Sequence, residues 1–122
     1  MSIDAVLDRH LDALARADMD GVMADYAADA VLCTPAGVAR GHTQIRAAIQ
    51  PFATKVMPPG SQMKVSQRII EGELAYLAWS GESDRFRIPT GTDTYIVRGD
   101  KIVTQTFAAQ IDRKNGDVDR KG

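Results

Sequence analysis

The apolar positions change period once along this chain. Ile3, Val6, Leu7, His10, Leu11 and Leu14 recur at steps of three and four, which predicts an amphipathic helix over 3–17 capped by Ser2. A shorter helix follows Asp18, with Val22, Met23 and Tyr26 on one side and an end near Ala28. The strand AVLCTP is then broken by Pro35 and Gly37, VARG returns toward Gly41, and Thr43 caps a third helix carrying Ile45, Ala48, Ile49 and Phe52. MPPGSQ (57–62) reads as a loop. From Met63 onward the period is that of a sheet: MKVSQRII, LAYLAWSG, RFRIPTGTDTYIV and KIVTQTFAAQI are strands separated by EGE, ESD and RGD turns. Such short connections make consecutive strands antiparallel neighbours. The expected class is α+β, a curved, mostly antiparallel sheet with helices gathered on one face.

Composition narrows what such a domain does. At 122 residues the chain is one domain, expected over 1–112, with a polar tail over 113–122. Hydrophobic residues are 44% and charged residues 25%, the net charge is -1, and no run of Lys or Arg stands out, so nucleic acid is not an expected partner. No apolar run approaches a membrane span and MSIDAVLDRH is not a signal peptide, which makes the cytoplasm the expected location and a membrane no partner. Cys33 has no second cysteine to pair with and points away from Thr34's face, as a small buried hydrophobe. His42, beside Gly41, reads as a turn or helix-start residue. The two histidines and the scattered carboxylates show no metal-ligand spacing, so neither metal nor cofactor is expected.

Two polar residues sit where polar residues are costly. His10 lies on the apolar face of the first helix, either as a hydrogen-bonded core residue or as a catalyst. Asp93 lies mid-strand in TDTYIV, where Asp is disfavoured; facing inward it must be paired, protonated or functional. Strand alternation places Pro89, Gly91, Asp93, Tyr95 and Val97 on one face and Thr90, Thr92, Thr94 and Ile96 on the other. The first set leaves room for a cavity; the second suits a sheet face that pairs with another subunit. Phe52, Gln105 and Phe107 are expected to line or floor the cavity, although packing accounts equally well for the two Phe. Tyr76 and Trp79 fall on opposite faces of one strand, and the pattern leaves open which one turns inward.

The segments ADMDGVMADYAADAVLCTPAG (17–37), RGHTQIRAAI (40–49) and TDTYIVRGDKIV (92–103), with the meander around them, resemble the nuclear transport factor 2-like (NTF2-like) superfamily, in particular its SnoaL-like and ketosteroid-isomerase-like branch. The resemblance covers nearly the whole chain. It implies a cone, with the sheet wrapped around three N-terminal helices, an apolar pocket for a small hydrophobic molecule at the mouth, and homodimers through the outer face of the sheet. That fold hosts isomerases, cyclases, dehydratases and hydrolases as well as binding proteins without catalysis, so it does not name a function.

Residue by residue, the resemblance puts Thr34 at the position of the ketosteroid isomerase base, which argues against that activity. It puts His10 at the oxyanion-holding Tyr, Tyr26 at a supporting Tyr and Asp93 at the second Asp. No Arg between two Asp can be placed, which argues against limonene-epoxide-hydrolase chemistry. The catalytic candidates are therefore His10, Asp93 and Tyr26, and the substrate-binding candidates Thr34, Phe52, Tyr95, Gln105 and Phe107. Were His10 and Asp93 to meet in the cone they could share a proton, with Tyr26 donating to a developing oxyanion. Such a pair fits a cofactor-independent isomerase, cyclase or lyase acting on a small apolar carbonyl compound. It fits equally a non-catalytic binding protein or a dimeric interaction module in which Asp and His only satisfy one another.

Overall fold

The structure, a computed structural model, describes residues 1–114. Helix α1 (Ile3–Ala15) starts where the Ser2 hydroxyl accepts the Ala5 N–H at 3.1 Å, and it buries the face carrying Val6, Leu7, His10 and Ala13. Asp18 caps α2 (Met19–Ala24) in the same way, accepting from the Gly21 N–H at 3.1 Å. The expected continuation of this helix to Ala28 does not occur, and Tyr26 instead opens strand β1 (Tyr26–Thr34). Asp25 is the reason. Its carboxylate is drawn back to α1 by Arg9 and His10, while its carbonyl accepts the Ile102 N–H at 2.8 Å, so the backbone has already joined the sheet.

Strand β2 (Gly37–Arg40) folds back on β1. Helix α3 (Gly41–Pro51) begins two residues before the expected Thr43 cap, with Gln44 Oε1 accepting the Arg40 N–H at 2.8 Å, and it runs into one π-helical turn (Phe52–Val56). The meander follows as β3 (Gln62–Glu71), β4 (Leu74–Glu82), β5 (Phe86–Arg98) and β6 (Lys101–Arg113). The six strands lie in the order β2-β1-β6-β5-β4-β3, antiparallel throughout except for the parallel β1–β6 pair. Register shifts in β1–β6 and throughout the meander bend the sheet, and the three helices pack against its hollow side. Arg68 of β3 closes one flank, its guanidinium reaching Asp4 at 3.0 Å and Asp8 at 2.9 Å on α1.

The alternation expected in β5 holds from Gly91 to Val97: Gly91, Asp93, Tyr95 and Val97 are buried, and the residues between them half-buried. Pro89 departs from it. The register shifts between Arg87 and Thr90, so Ile88 turns inward and Pro89 is exposed. Cys33 also departs from the expected burial, being half-buried on the convex face, which no helix covers. Strand β6 runs to Arg113, just past the expected domain boundary, and residues 115–122 of the expected tail lie outside the described residues. Among the described residues no helix is long and apolar enough to cross a membrane.

Candidate functional site

The helices do not fill the hollow completely. A cavity of about 630 Å³ remains between α1, α3 and the inner face of the sheet, walled by Leu11, Leu14, Leu32, Ile49, Met57 and the aromatic rings described below. Thr34, Phe52, Tyr95, Gln105 and Phe107 all line it, as do Tyr26 and Asp93. Among the described residues that form its wall, Asp93 alone carries a carboxyl group.

Trp79, not Tyr76, turns inward. Its ring stacks on Phe107 with centroids 6.4 Å apart and meets the edge of Phe52 at 6.1 Å, and Phe52 and Phe107 meet edge to face at 5.6 Å. The glycine of TGTD makes this possible. Gly91 lies opposite Trp79 across the β4–β5 pair, and a Cβ there would come within 2.5 Å of the indole carbons. With no side chain in the way, the ring lies over β5 and its Nε1–H donates to Asp93 Oδ1 at 2.9 Å.

Asp93 is 7% exposed and well supplied with donors. Besides Trp79, Gln105 Nε2 donates to Oδ2 at 2.8 Å and the Tyr95 hydroxyl approaches the same oxygen at 3.4 Å. Burial pushes the Asp93 carboxyl above the usual carboxylate range, and the bonds from Trp79, Gln105 and Tyr95 and the charge on His10 offset that rise only in part. Burial thus makes this carboxyl hold its proton more tightly than an exposed one would. Tyr95 and Tyr26 are pushed up as well, burial first and the neighbouring carboxylates second, so both phenols stay protonated donors.

His10 and Asp93 do not share a hydrogen bond. His10 is fully buried and stands behind Tyr26, away from the cavity wall. The Tyr26 hydroxyl donates to Gln105 Oε1, and His10 Nε2 lies 3.4 Å from the same hydroxyl, so the link runs His10–Tyr26–Gln105–Asp93. The carboxylate that does meet the imidazole is Asp25, whose Oδ2 accepts from His10 Nδ1 at 3.1 Å. Arg9 Nε and Nη2 each reach the other oxygen of Asp25 at 2.7 Å. Burial alone would raise the Asp25 carboxyl, but the bonds and charges of His10 and Arg9 outweigh it and hold it below its ordinary value.

Asp25 and Arg9 were not legible as site residues, because the pattern placed Asp25 on a continuing helix. The one available signal is the doublet Arg9-His10 facing Asp25-Tyr26, which acquires meaning only if the chain leaves the helix at residue 25. Thr34 Oγ1 accepts the Ala36 N–H at 3.1 Å and so serves the β1–β2 turn as well as the wall. His42, in the first turn of α3, donates from Nε2 to the Tyr26 carbonyl at 2.9 Å. No group of three metal-ligating side chains occurs among the described residues.

The sequence model of the SnoaL-like domain matches residues 7–105. No functionally curated protein matches the chain. Among solved structures, it is similar to an NTF2-like protein of unknown function from Burkholderia xenovorans LB400, at 23% identity over 88% of this chain and 82% of that one, with a TM-score of 0.73. It is similar also to a candidate ketosteroid isomerase from Kribbella flavida DSM 17836, at 17% identity over 87% and 76% of the two chains, TM-score 0.71. A candidate polyketide cyclase from Sinorhizobium meliloti matches at 15% identity over 84% and 93%, TM-score 0.71. Likenesses at these identities establish the cone fold.

Proposed function

Since the chain belongs to the SnoaL-like domain family, we propose that it takes a small, largely apolar carbonyl compound into the cone and moves a proton on it without a cofactor, as an isomerase, cyclase or lyase. The observation that carries this reading is Asp93: among the described residues, the one carboxyl group on the wall of an apolar cavity, held by Trp79 and Gln105 and keeping its proton more tightly than an exposed carboxyl. An acid there can donate to a carbonyl or leaving hydroxyl oxygen and take the proton back later in the reaction. Trp79 and Gln105 hold its two oxygens, and Tyr95 supports them. Tyr26 lines the same cavity with its hydroxyl proton given to Gln105, and His10 and Asp25 orient Tyr26 from behind. The aromatic cluster of Phe52, Trp79 and Phe107 suits a flat apolar body. Structural neighbours named for isomerase and cyclase activities support the reaction class.

Turnover of a panel of enones, β-hydroxycarbonyl compounds and poly-β-ketones tests this, with Asp93→Asn as the comparison. Loss of general acid catalysis predicts a fall in kcat of about 10²-fold or more. An equally active Asn variant removes the mechanism. Thr34, at the wall position where the related isomerases keep a base, favours a second reading, a binding protein using the same cavity. Saturable quenching of Trp79 fluorescence with no product from any member of the panel would establish that reading instead.

The convex face of the sheet supports a homodimer. Register carries one continuous row across it: Val38, Cys33, Thr106, Thr94, Tyr76 and Ile69. Val38 is 51% and Ile69 42% exposed, and the row contains no charge. Sedimentation of the wild type beside Thr94→Glu tests the assembly. A dimer that becomes monomeric is expected, whereas a wild type that is already monomeric removes it.

A further inference from the structure

We infer that Gln105 couples the proton on Asp93 to the proton on His10. The buried chain Asp25–His10–Tyr26–Gln105–Asp93 has two complete hydrogen-bonding arrangements with the same number of protons, and the Gln105 amide is turned over between them.

The first arrangement is the one in the structure. Gln105 Nε2 donates to Asp93 Oδ2 at 2.8 Å, which leaves Gln105 Oε1 as the acceptor of the Tyr26 hydroxyl. The Tyr26 proton is then committed, and its oxygen offers only lone pairs to His10 Nε2, 3.4 Å away. Two acceptors cannot satisfy each other, so Nε2 must donate. Nδ1 also donates, because its partner is the Asp25 carboxylate. His10 therefore carries both ring protons when Asp93 is ionised.

The second arrangement reverses every bond between the two ends. With a proton on Asp93 Oδ2, the carboxyl donates to the Gln105 carbonyl, and the turned amide donates to the Tyr26 oxygen. The Tyr26 hydroxyl is then free to donate to His10 Nε2, now without its proton. One proton has left His10 and one has arrived at Asp93; the net charge is unchanged. The oxygen and nitrogen of an amide are nearly the same size, so the heavy atoms keep their places. Among the described residues no buried side-chain nitrogen or oxygen lacks a partner, which leaves the chain without a loose end to absorb a mismatch.

The surroundings hold both ends in register. Asp25, with Arg9 on its far oxygen, fixes Nδ1 of His10 as a donor, and the edge of the Tyr95 ring closes the remaining side at 5.9 Å. At Asp93 the groups are Trp79 from β4, Tyr95 from β5 and Gln105 from β6. In the second arrangement the single carboxyl proton is given to Gln105, so the coupling is a property of the free protein and does not rest on the proposed role of Asp93.

Asp93→Asn tests it without a substrate. Trp79 Nε1 can only donate, so the new amide must present its oxygen to Trp79 and its NH2 to Gln105. This locks the second arrangement. NMR of labelled imidazole nitrogens at neutral pH is expected to show both His10 nitrogens protonated in the wild type. In Asp93→Asn, Nε2 should move by the full difference to an unprotonated nitrogen while Nδ1 stays protonated, with His42 as internal reference. Tyr26→Phe cuts the chain, and in that background Asp93→Asn should leave His10 unmoved. An unchanged Nε2 in Asp93→Asn overturns the coupling. So does the same change in the Tyr26→Phe background, which would show His10 answering the field of Asp93 and not the chain. Either failure leaves the turnover test of Asp93 standing on its own.

Discussion

Replacing Asp25 with Ala removes one acceptor from a place no water reaches. Asp25 is 1% and His10 0% exposed, and the Nδ1 donor of His10 has no other partner in reach. A buried donor left unsatisfied costs about 1–3 kcal/mol. The two bonds from Arg9 are short, at 2.7 Å, but the Arg9 side chain is 45% exposed and regains water when released, so that part is discounted to about 0–1 kcal/mol. The expected loss is therefore about 1–4 kcal/mol at neutral pH, with a midpoint worth roughly 10 °C in Tm for a domain of this length. Urea unfolding followed by the single tryptophan, Trp79, measures it directly. The cost must also depend on pH in one direction. The folded Asp25 carboxyl lies below its unfolded value, so its contribution is present above the ordinary carboxylate range and disappears as pH falls through the folded value. The stabilities of wild type and Asp25→Ala should converge in acid. His10→Phe in the Asp25→Ala background should recover part of the loss, because removing both partners leaves no orphan donor. A neutral-pH loss below about 0.5 kcal/mol, or a gap that widens in acid, refutes the assignment of Asp25 as the carboxylate partner of His10.

Asp93→Asn should act on stability with the opposite sign. A buried carboxyl whose folded value is raised stabilises at low pH and loses that contribution as pH rises through the folded value, so the Asn variant should match the wild type in acid and exceed it at neutral and alkaline pH in urea unfolding. Gly91→Ala should displace the Trp79 ring, costing about 1–3 kcal/mol by overpacking and changing the tryptophan emission by breaking the Nε1–Asp93 bond; an unchanged spectrum would contradict the packing described. Arg68→Ala should cost about 1 kcal/mol or less, since Asp4 and Asp8 remain hydrated, and the loss should shrink in high salt, measured by urea titration at two ionic strengths.

Much of the site was legible one residue at a time. An Asp in the middle of TDTYIV had to face inward or outward, and the alternation around it placed it inward with Gly91, Tyr95 and Val97. Gln105, Phe107 and Phe52 were expected to line or floor the cavity, and all three line it. Partnership was not legible. His10 reads as one member of a pair with Asp93, yet its carboxylate is Asp25, fifteen residues away in sequence and across the α1–β1 junction. The pattern could not reveal this because it turns on where α2 stops, and a six-residue helix ends where tertiary hydrogen bonds end it.

The sequence by itself determined the period of most elements, the meander and the sidedness of β5 from Gly91 to Val97. These are local consequences of side-chain spacing and residue type. Tertiary structure decided what period cannot encode. It turned Trp79 inward over Gly91, carried Asp25 under α1, and set Tyr26 and Gln105 between His10 and Asp93. Hydrogen bonds in a buried site depend on distances of tenths of an ångström between elements far apart in the chain, and only the closed cone fixes them.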